Sequence, residues 1–340
     1  MNADGLMKMA NFWPARLLLS AAELDVFTKL TEPVEAYIVA RECKADRRAM
    51  GMLLDALAAL GVITKADGKY FVPDDHRELL LPGPQCVVPG ILHRKNLWDS
   101  WSKLTEVVRT GAPAVTPYEE DQRPDEQVKE FIAAMAVSAR YEAPKTAELL
   151  ELGEAKNLLD IGGGPGAYVS AFCKAAEQLH CTVLDFPRVC GIAGQNIAEE
   201  PFAGRIGFVE GEARSVSDTV VLAASGGDGY DVVFTSNLIH SMDDDQTREL
   251  IGRMVGWTKP GGRTVVKDFL LSDDKTEPAQ GVVFAINMLV NTPGGRSYSF
   301  SEVEGWLKEA ALAKGITGQL ERVKLPESNS GMVVFTRDED

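Results

Sequence analysis

The sequence predicts an α/β protein, in which a Rossmann-like domain with a mixed, mostly parallel sheet follows an α-helical domain. Three observations lead to this fold class. An apolar strand over 157–161 runs into a glycine-rich loop over 162–166 that opens a helix. Four further apolar strands follow, each separated from the next by a helical pattern, as is typical of a parallel sheet. Before residue 150, apolar side chains recur instead at helical spacing.

Residues 12 to about 90 are predicted to fold as a winged-helix-like domain. Asp46 is a suitable N-cap for the third of its helices, and Asp67-Gly68 is a turn signal between two short strands. The third helix is mostly apolar and the chain is acidic, so we expect a dimerisation surface and keep DNA binding as the less favoured alternative. The three helical patterns and the hairpin cover 14–30, 33–43, 46–60 and 61–72.

Residues 91–150 are predicted to form a helical linker that contributes to the substrate pocket. Two long amphipathic helices are expected there, joined by a proline- and acid-rich segment over 112–124. Residues 151–340 then hold the α/β domain. The sequence therefore predicts three regions in order: a dimerisation domain, a helical linker and a ligand-binding domain.

The loop after the first strand carries glycines at positions 162, 164 and 166, behind the strand-end Asp160. Glycine at these positions allows a tight turn and lets an adenosine-bearing ligand approach the backbone. The loop alone leaves two cofactors open, because the same glycines followed by Ala167 also satisfy the dinucleotide fingerprint. Asp185 ends the next strand roughly 20 residues later, where an acid can bind ribose hydroxyls in either case.

The order of the later strand ends decides between the two cofactors. A dinucleotide-binding half would be followed by a second half for the nicotinamide, whereas here one ordered set of polar strand ends occurs and then stops. This is the order of methyltransferases, so we expect S-adenosyl-L-methionine as the cofactor. The three later strand ends lie in 208–212, 230–240 and 263–271.

On these motifs, residues 12 to 336 resemble the plant-type, caffeate- and hydroxyindole-like family of S-adenosylmethionine-dependent O-methyltransferases, in its bacterial branch. The resemblance implies a class I methyltransferase domain preceded by a winged-helix dimerisation domain, a homodimer and a small aromatic acceptor. It also implies that His240 is the general base and that Asp268 orients it. Imidazole suits this task because it titrates close to neutral pH. From the residues alone, a helix-cap or core role for His240 and an N-cap or loop salt bridge for Asp268 stay open.

The resemblance assigns the remaining site residues by motif. Asp185 falls at the ribose contact, and Glu212 stands where the family has an aspartate that contacts adenine. Met288 falls in the wall that packs on an aromatic acceptor. The predicted cofactor site comprises Asp160, Gly162, Gly164, Gly166, Asp185, Phe186, Glu212, Ala213, Ser236 and Arg140, and the predicted substrate site comprises Phe131, Met135, Met288, Asn291 and Tyr298.

Three positions depart from the family pattern. Ser241 follows the predicted base where aspartate is usual, and Ser236 stands where a lysine is common. Ser297 takes the place of a second acid. These changes leave a C- or N-methyltransferase, or a non-methylating relative, as the alternative to O-methylation. A ligand-sensing winged-helix regulator is the alternative from another class.

Charge and composition disfavour several kinds of partner. A net charge of −15 and an isoelectric point near 4.8 argue against nucleic acid and anionic membrane surfaces. No uncharged stretch of about 18 residues is present, and the start of the chain lacks a signal-peptide pattern, so we expect a cytoplasmic protein. The five cysteines show no C-x-x-C pairing, and no carboxylate cluster suggests a metal.

Overall fold

The structure, a computed structural model, describes residues 1–115, 124–325 and 328–339. It divides into two compact units, made of residues 1–98 with 133–137 and of residues 99–132 with 138–340. The predicted linker does not form a unit of its own, because its residues are divided between these two. Each unit is described separately below.

The first unit has the predicted order of helices followed by a hairpin. Its helices are α1 (Ala3–Ala10), α2 (Trp13–Glu23), α3 (Ala36–Glu42), α4 (Arg47–Ala59), α5 (Asp74–Leu80) and α6 (Val88–Asn96), and its strands are β1 (Val34–Glu35), β2 (Thr64–Ala66) and β3 (Lys69–Phe71). Asp46 caps α4, because its carboxylate accepts a hydrogen bond from the Ala49 amide at 2.8 Å. Asp67 and Gly68 adopt φ angles of 48° and 75°, as the tight hairpin turn requires.

The helix predicted over 14–30 is shorter in the structure. α2 ends at Glu23, and Asp25 then adopts a left-handed φ of 53°. The Val26 amide donates to the Ala21 carbonyl at 3.0 Å. These are the features of a Schellman cap, which satisfies the last carbonyls of a helix and ends it. A separate 3₁₀ turn follows.

Only one of the two long helices predicted over 91–150 is continuous. The first is divided into short helices, whereas the second is a single helix of 26 residues. Gly111 ends the short helices with a left-handed φ of 72°. Of the predicted joining segment 112–124, residues 116–123 lie outside the described part of the chain. After α6 come α7 (Trp98–Trp101), α8 (Leu104–Thr110) and α9 (Asp125–Leu150).

The second unit is built on a seven-stranded sheet, and the predicted mixed, mostly parallel arrangement is confirmed. Its strands are β4 (Asn157–Ile161), β5 (His180–Asp185), β6 (Ile206–Glu210), β7 (Tyr230–Ser236), β8 (Thr258–Asp268), β9 (Gly318–Lys324) and β10 (Gly331–Arg337). The strand order is β6-β5-β4-β7-β8-β10-β9, with β4 to β8 parallel and β10 antiparallel to both of its neighbours. The helices are α10 (Ala167–Ala175), α11 (Pro187–Ile197), α12 (Asp218–Ala223), α13 (Asp244–Trp257), α14 (Ala279–Asn291) and α15 (Phe300–Ala313).

Two apolar layers cover the two faces of this sheet. Phe172 belongs to one layer and Trp257 to the other. Side chains alternate between the faces along a strand, so Val265 contributes to the first layer and Val266 to the second. The strand order reverses between β4 and β7, and ligands of open α/β sheets bind at the carboxyl ends of strands at such a switch point.

No helix within the described ranges is long and apolar enough to cross a membrane. In the same part of the chain, no group of three or more His, Cys, Asp and Glu side chains is arranged to hold a metal ion. The five cysteines, all of which are described, carry free thiols.

Candidate active site

Polar side chains collect at the carboxyl ends of four neighbouring parallel strands. Asp160 lies near the end of β4 and Asp185 ends β5. Ser236 ends β7 and Asp268 ends β8. Because the strands are parallel and hydrogen-bonded in register, these residues share one edge of the sheet. The edge at the switch point is therefore the candidate site.

The three loop glycines have different roles. All adopt left-handed φ angles, of 70° at Gly162, 53° at Gly164 and 79° at Gly166. A Cβ at Gly166 would lie 2.6 Å from a methyl carbon of Ile197, and one at Gly162 would lie 3.0 Å from Leu238. A Cβ at Gly164 would meet no atom closer than 3.9 Å. Two glycines thus allow close packing beneath the loop, and the third keeps its outer surface open.

Asp185 fastens the glycine loop to the end of β5. Its Oδ2 accepts a hydrogen bond from the Gly164 amide at 2.9 Å, and its Oδ1 accepts one from the Phe186 amide at 2.8 Å. The Phe186 side chain packs against an apolar cluster that includes Val128 and Ile132 of α9. The predicted ribose-binding acid therefore lies directly beside the predicted cofactor loop.

Asp160 is a buried acid of this edge with a strongly shifted pKa. Its side chain is 1% exposed, and its Oδ2 has no hydrogen-bond partner among the described residues. Burial raises the pKa of Asp160 to about 8, with a further contribution from the negative charge of Asp185. The Ser236 hydroxyl is likewise buried and forms no hydrogen bond of ordinary geometry within the described chain, although it is near enough to the Tyr168 hydroxyl to offset part of the rise that burial causes in the pKa of that phenol. Such orphaned polar atoms are rare in folded proteins and indicate a place for polar groups of a ligand.

Strand β8 supplies a buried cation that the sequence analysis missed. Lys267 pairs in register with Ser236 of β7, and the Lys267 side chain is fully buried. Ser236 stands at the position where the family that this sequence resembles commonly has a lysine. Its Nζ lies 2.5 Å from Oε2 of Glu142 on α9. Burial lowers the pKa of Lys267, but neighbouring Tyr168 and Glu142 outweigh this and raise it, so the ammonium stays charged. The sequence feature that could have identified this cation is a lysine inside an otherwise apolar strand.

Glu142 joins this cation to a network of hydroxyls. Its carboxylate accepts hydrogen bonds from Ser328 at 2.5 Å, from Ser330 at 3.3 Å and from the Tyr168 hydroxyl at 3.5 Å. Burial raises the pKa of Glu142, but the Lys267 ammonium and the Ser328 and Ser330 hydroxyls outweigh burial and hold it below its ordinary value. The pair is therefore ionised and anchors α9 to the edge of the sheet.

The predicted base and its partner are brought together. Nδ1 of His240 lies 2.7 Å from Oδ1 of Asp268, which is 2% exposed. The same carboxylate accepts hydrogen bonds from the backbone amides of Phe269, at 2.7 Å, and His240, at 3.3 Å. Since an ionised carboxylate only accepts, Nδ1 carries the proton and Nε2 of a neutral ring is left as an acceptor.

Two phenylalanines that the sequence analysis did not select surround this histidine. The Phe284 ring of α14 lies edge-on to His240, with ring centroids 4.8 Å apart. Phe269 follows β8 directly and lies 5.9 Å from the imidazole and 4.3 Å from Phe284. The spacing of Phe284, four residues before Met288 on a helix, could have indicated a shared face.

The predicted substrate residues differ in their burial and in their hydrogen bonds. Met288 is 7% exposed on α14, and the Asn291 amide donates to the carbonyl and side-chain oxygens of Asn287 at 2.9 and 3.0 Å. Tyr298 needs correction, because it is buried and its hydroxyl donates to the Met242 carbonyl at 2.6 Å while accepting from Thr247 at 3.2 Å. Tyr298 is therefore a core residue.

The other predicted residues differ in exposure and partners. Phe131 is exposed and Arg140 is half-buried, whereas Met135 is half-buried and belongs to the first unit. Glu212 forms an ion pair with Arg214 at 2.8 Å. The Ala213 carbonyl accepts a hydrogen bond from Arg253 at 2.8 Å, and both 212 and 213 follow β6 at the candidate edge.

This fold and this strand-end site define a class I S-adenosylmethionine-dependent methyltransferase. Residues 101–313 match the family model described as an O-methyltransferase domain, and the chain belongs to that family. The predicted family, fold class, enzyme class and cofactor are thereby confirmed.

Similar proteins come from bacteria and animals. The 3-hydroxy-5-methyl-1-naphthoate 3-O-methyltransferase of Streptomyces sahachiroi is 28% identical over 89% of this chain and 87% of its own length. The mitomycin biosynthesis 6-O-methyltransferase of Streptomyces lavendulae is 28% identical over 88% and 86%. The structure of human N-acetylserotonin methyltransferase in complex with SAM has a TM-score of 0.81 at 23% identity, covering 100% of both chains. An O-methyltransferase family protein from Burkholderia thailandensis has a TM-score of 0.83 at 22% identity, covering 100% of this chain and 99% of its own.

The residues of the candidate edge fit S-adenosylmethionine. The open surface at Gly164 leaves room along the loop, and Asp185 presents a carboxylate beside it. The orphaned Asp160 and Ser236 oxygens offer hydrogen-bonding groups to the polar ends of the cofactor.

Lys267→Met should destabilise the protein strongly, because it leaves the partly buried Glu142 carboxylate without its cation. We expect a loss of about 3 kcal/mol in the free energy of unfolding, measured by urea denaturation. The double variant Lys267→Met/Glu142→Gln should recover much of this loss.

Lys174→Met is the matched control, since Lys174 of the second unit forms a solvent-exposed ion pair with Glu200 at 3.1 Å. That variant should keep the wild-type denaturation midpoint. An equally unperturbed midpoint in Lys267→Met would contradict a structural role for the buried pair.

Proposed function

We propose that this chain methylates a hydroxyl oxygen of a small aromatic or polycyclic metabolite, with His240 as the general base. The observation that carries the proposal is the 2.7 Å hydrogen bond between His240 Nδ1 and Asp268 Oδ1, which leaves Nε2 as the basic atom. The rings of Phe269 and Phe284 beside the imidazole suit a flat acceptor. The relative that acts on a hydroxynaphthoate supports this acceptor class.

When bound, S-adenosylmethionine supplies a methyl group that is already activated on a sulfonium, so the chain has to provide alignment and deprotonation. His240 Nε2 takes the proton of the acceptor hydroxyl as the oxygen gains its methyl group. The Asp268 carboxylate keeps the imidazole in one tautomer and stabilises the imidazolium that forms. The proton then leaves His240 to solvent before the next turnover.

The cofactor site is proposed to extend across four strand ends. Asp185 would accept hydrogen bonds from the ribose hydroxyls, with Phe186 beside it. Glu212 and Ala213 would border the adenine. The glycine loop, Asp160, Ser236 and Arg140 would hold the amino-acid end.

The serines that depart from the family pattern have their own local partners. The Ser241 hydroxyl donates to the Leu238 carbonyl at 2.7 Å, and that of Ser297 donates to the Gly281 carbonyl at 2.9 Å. Within the described residues, neither hydroxyl bonds to the His240 ring. An ordered histidine–aspartate pair is of most use to an acceptor that must lose a proton to become nucleophilic, so the geometry favours a hydroxyl oxygen over a neutral amine nitrogen.

His240→Ala should lower turnover by about a hundredfold or more, since general-base catalysis contributes 10²–10⁴-fold in rate. Asp268→Asn should give a smaller loss, because an amide oxygen can still accept from Nδ1 but does not stabilise the imidazolium by charge. Both are measured as transfer of labelled methyl to a panel of phenols.

Affinity for S-adenosylhomocysteine should stay near wild type in His240→Ala, which serves as the folding control. A more acidic phenol should partly restore its activity, because that phenol needs less help in losing its proton. Wild-type turnover in His240→Ala would count against a general base and would favour carbon or nitrogen methylation.

Asp185→Ala should weaken cofactor binding by about 1 to 3 kcal/mol, because buried ribose hydroxyls and the Gly164 amide would lose their acceptor. Isothermal titration with S-adenosylhomocysteine measures this. Asp185→Asn keeps an acceptor oxygen and should lose less. Unchanged affinity in both variants would remove Asp185 from the cofactor site.

We further propose that the protein is a homodimer assembled through its first unit. Large apolar side chains are exposed near its start, with Met7 71% and Trp13 69% exposed, and Met52 on α4 is 59% exposed. None of the residues of α1 is buried. Apolar surface of this kind marks an interaction site, and the resembling family pairs through this region.

Met7→Asp/Trp13→Asp should therefore shift the protein from dimer to monomer in multi-angle light scattering at micromolar concentration. Leu312→Asp is the matched control, because Leu312 is 82% exposed on α15 of the second unit and should leave the dimer intact. A wild-type protein that is monomeric under the same conditions would rule out the homodimer.

A further inference from the structure

The side-chain amide of Asn287 on α14 is held in one orientation. The indole nitrogen of Trp101 donates to its Oδ1 at 2.8 Å, and the Asn291 amide donates to the same oxygen at 3.0 Å. An indole N–H can only donate, so the atom that faces Trp101 has to be the oxygen. The opposite orientation would place two donors against each other.

The nitrogen of the same amide is left with hydrogens to donate. Asn287 is half-buried, and within the described residues its Nδ2 makes no hydrogen bond. The two hydrogen bonds occupy the side-chain oxygen of Asn287, and both hydrogens on Nδ2 remain free to be donated. The result is an oriented donor without a partner in the protein.

This donor shares a helix face with the aromatic ring that contacts the base. Residues three and four apart lie on one face of a helix, so Phe284, Asn287 and Met288 are neighbours. Phe284 packs edge-on against His240. Asn287 follows one turn later, about 4.5 Å along the helix axis. A ring lying along this face beside the histidine would extend toward the amide.

We propose that Asn287 is a specificity-determining residue, whose Nδ2 donates a hydrogen bond to a carbonyl or quinone oxygen carried by the aromatic acceptor. The inference rests on the proposed methylation of a hydroxyarene and narrows its substrate class. A neutral amide donor matches a neutral carbonyl oxygen. Trp101 and Asn291 act as positioning residues, because they fix which end of the amide faces the acceptor.

An acceptor without the carbonyl would leave the donor unpaired. Sites built to hydrogen-bond a substrate group discriminate against analogues that lack it. The amide is only half-buried and neutral, so we expect a preference of about tenfold in kcat/KM for the carbonyl-bearing acceptor.

The test compares two acceptors of nearly the same shape. Hydroxytetralones carry a ring ketone, and hydroxytetralins with the hydroxyl at the same ring position have a methylene in its place. Both kcat/KM for labelled methyl transfer and the dissociation constant in the presence of S-adenosylhomocysteine are measured. The wild type should prefer the ketone in both measurements.

Three substitutions separate the roles of the residues. Asn287→Leu should bring the ketone-to-methylene ratio close to one, and Asn287→Asp, which has the same shape but only accepts, should lower it further. Trp101→Phe should reduce the ratio partly, because the amide would no longer be held in one orientation. Asn329→Leu is the control, since the Asn329 amide donates to Gln280 on the surface and that variant should keep the wild-type ratio.

The outcomes distinguish the inference from the proposed function. Equal binding and turnover of ketone and methylene by the wild type would overturn the role of Asn287, as would a preference that Asn287→Leu and Asn287→Asp retain. A ketone preference in binding without methyl transfer to any hydroxyl would support the Asn287 contact and contradict oxygen methylation.

Discussion

The parallel pairing of β4, β7 and β8 is the constraint on which the site depends. These strands lie side by side although long stretches of chain separate them, and their carboxyl ends meet at one edge. Asp160 and Ser236 come to this edge, and so does Asp268, the partner of the histidine. Loss of this register would move every one of these side chains, because a shift of one residue reverses the face to which a side chain points.

Side chains along β8 alternate between the two faces of the sheet, so consecutive residues of this strand serve two different purposes. Val265 and Val266 contribute to opposite apolar layers, so Lys267 and Asp268 also project to opposite faces. Lys267 pairs with Glu142 and ties α9 to the sheet, whereas Asp268 holds His240. One strand end thus supplies both a structural ion pair and the orientation of the proposed base.

Buried polar groups in the structural part of this edge have hydrogen-bond partners, whereas those in the proposed ligand-binding part lack them. Lys267 and Glu142 satisfy each other, and hydroxyls complete the network. Asp160 and Ser236 instead keep polar atoms without partners in the described chain. Unpaired buried groups cost stability, and proteins retain them where a ligand completes the hydrogen bonds. The contrast separates the scaffold from the proposed cofactor site.

Local patterns in the sequence were sufficient for the glycine loop, the strand-end Asp185, the hairpin at Asp67 and the cap at Asp46. Each of these depends on the backbone preference or the hydrogen bonding of residues close together in the chain. The choice of His240 and Asp268 came from the family resemblance, and the structure places the two side chains in contact.

Tertiary structure alone decided the remaining features. Lys267 meets a carboxylate 125 residues away in the chain, and Trp101 meets an amide 186 residues away. The Tyr298 side chain is buried, and its hydroxyl bonds to the Met242 carbonyl and the Thr247 hydroxyl. Sequence periodicity reports which face of an element is apolar, but it does not report which distant element covers that face. The packing of helices on the sheet therefore determined which polar side chains became core, anchor or site.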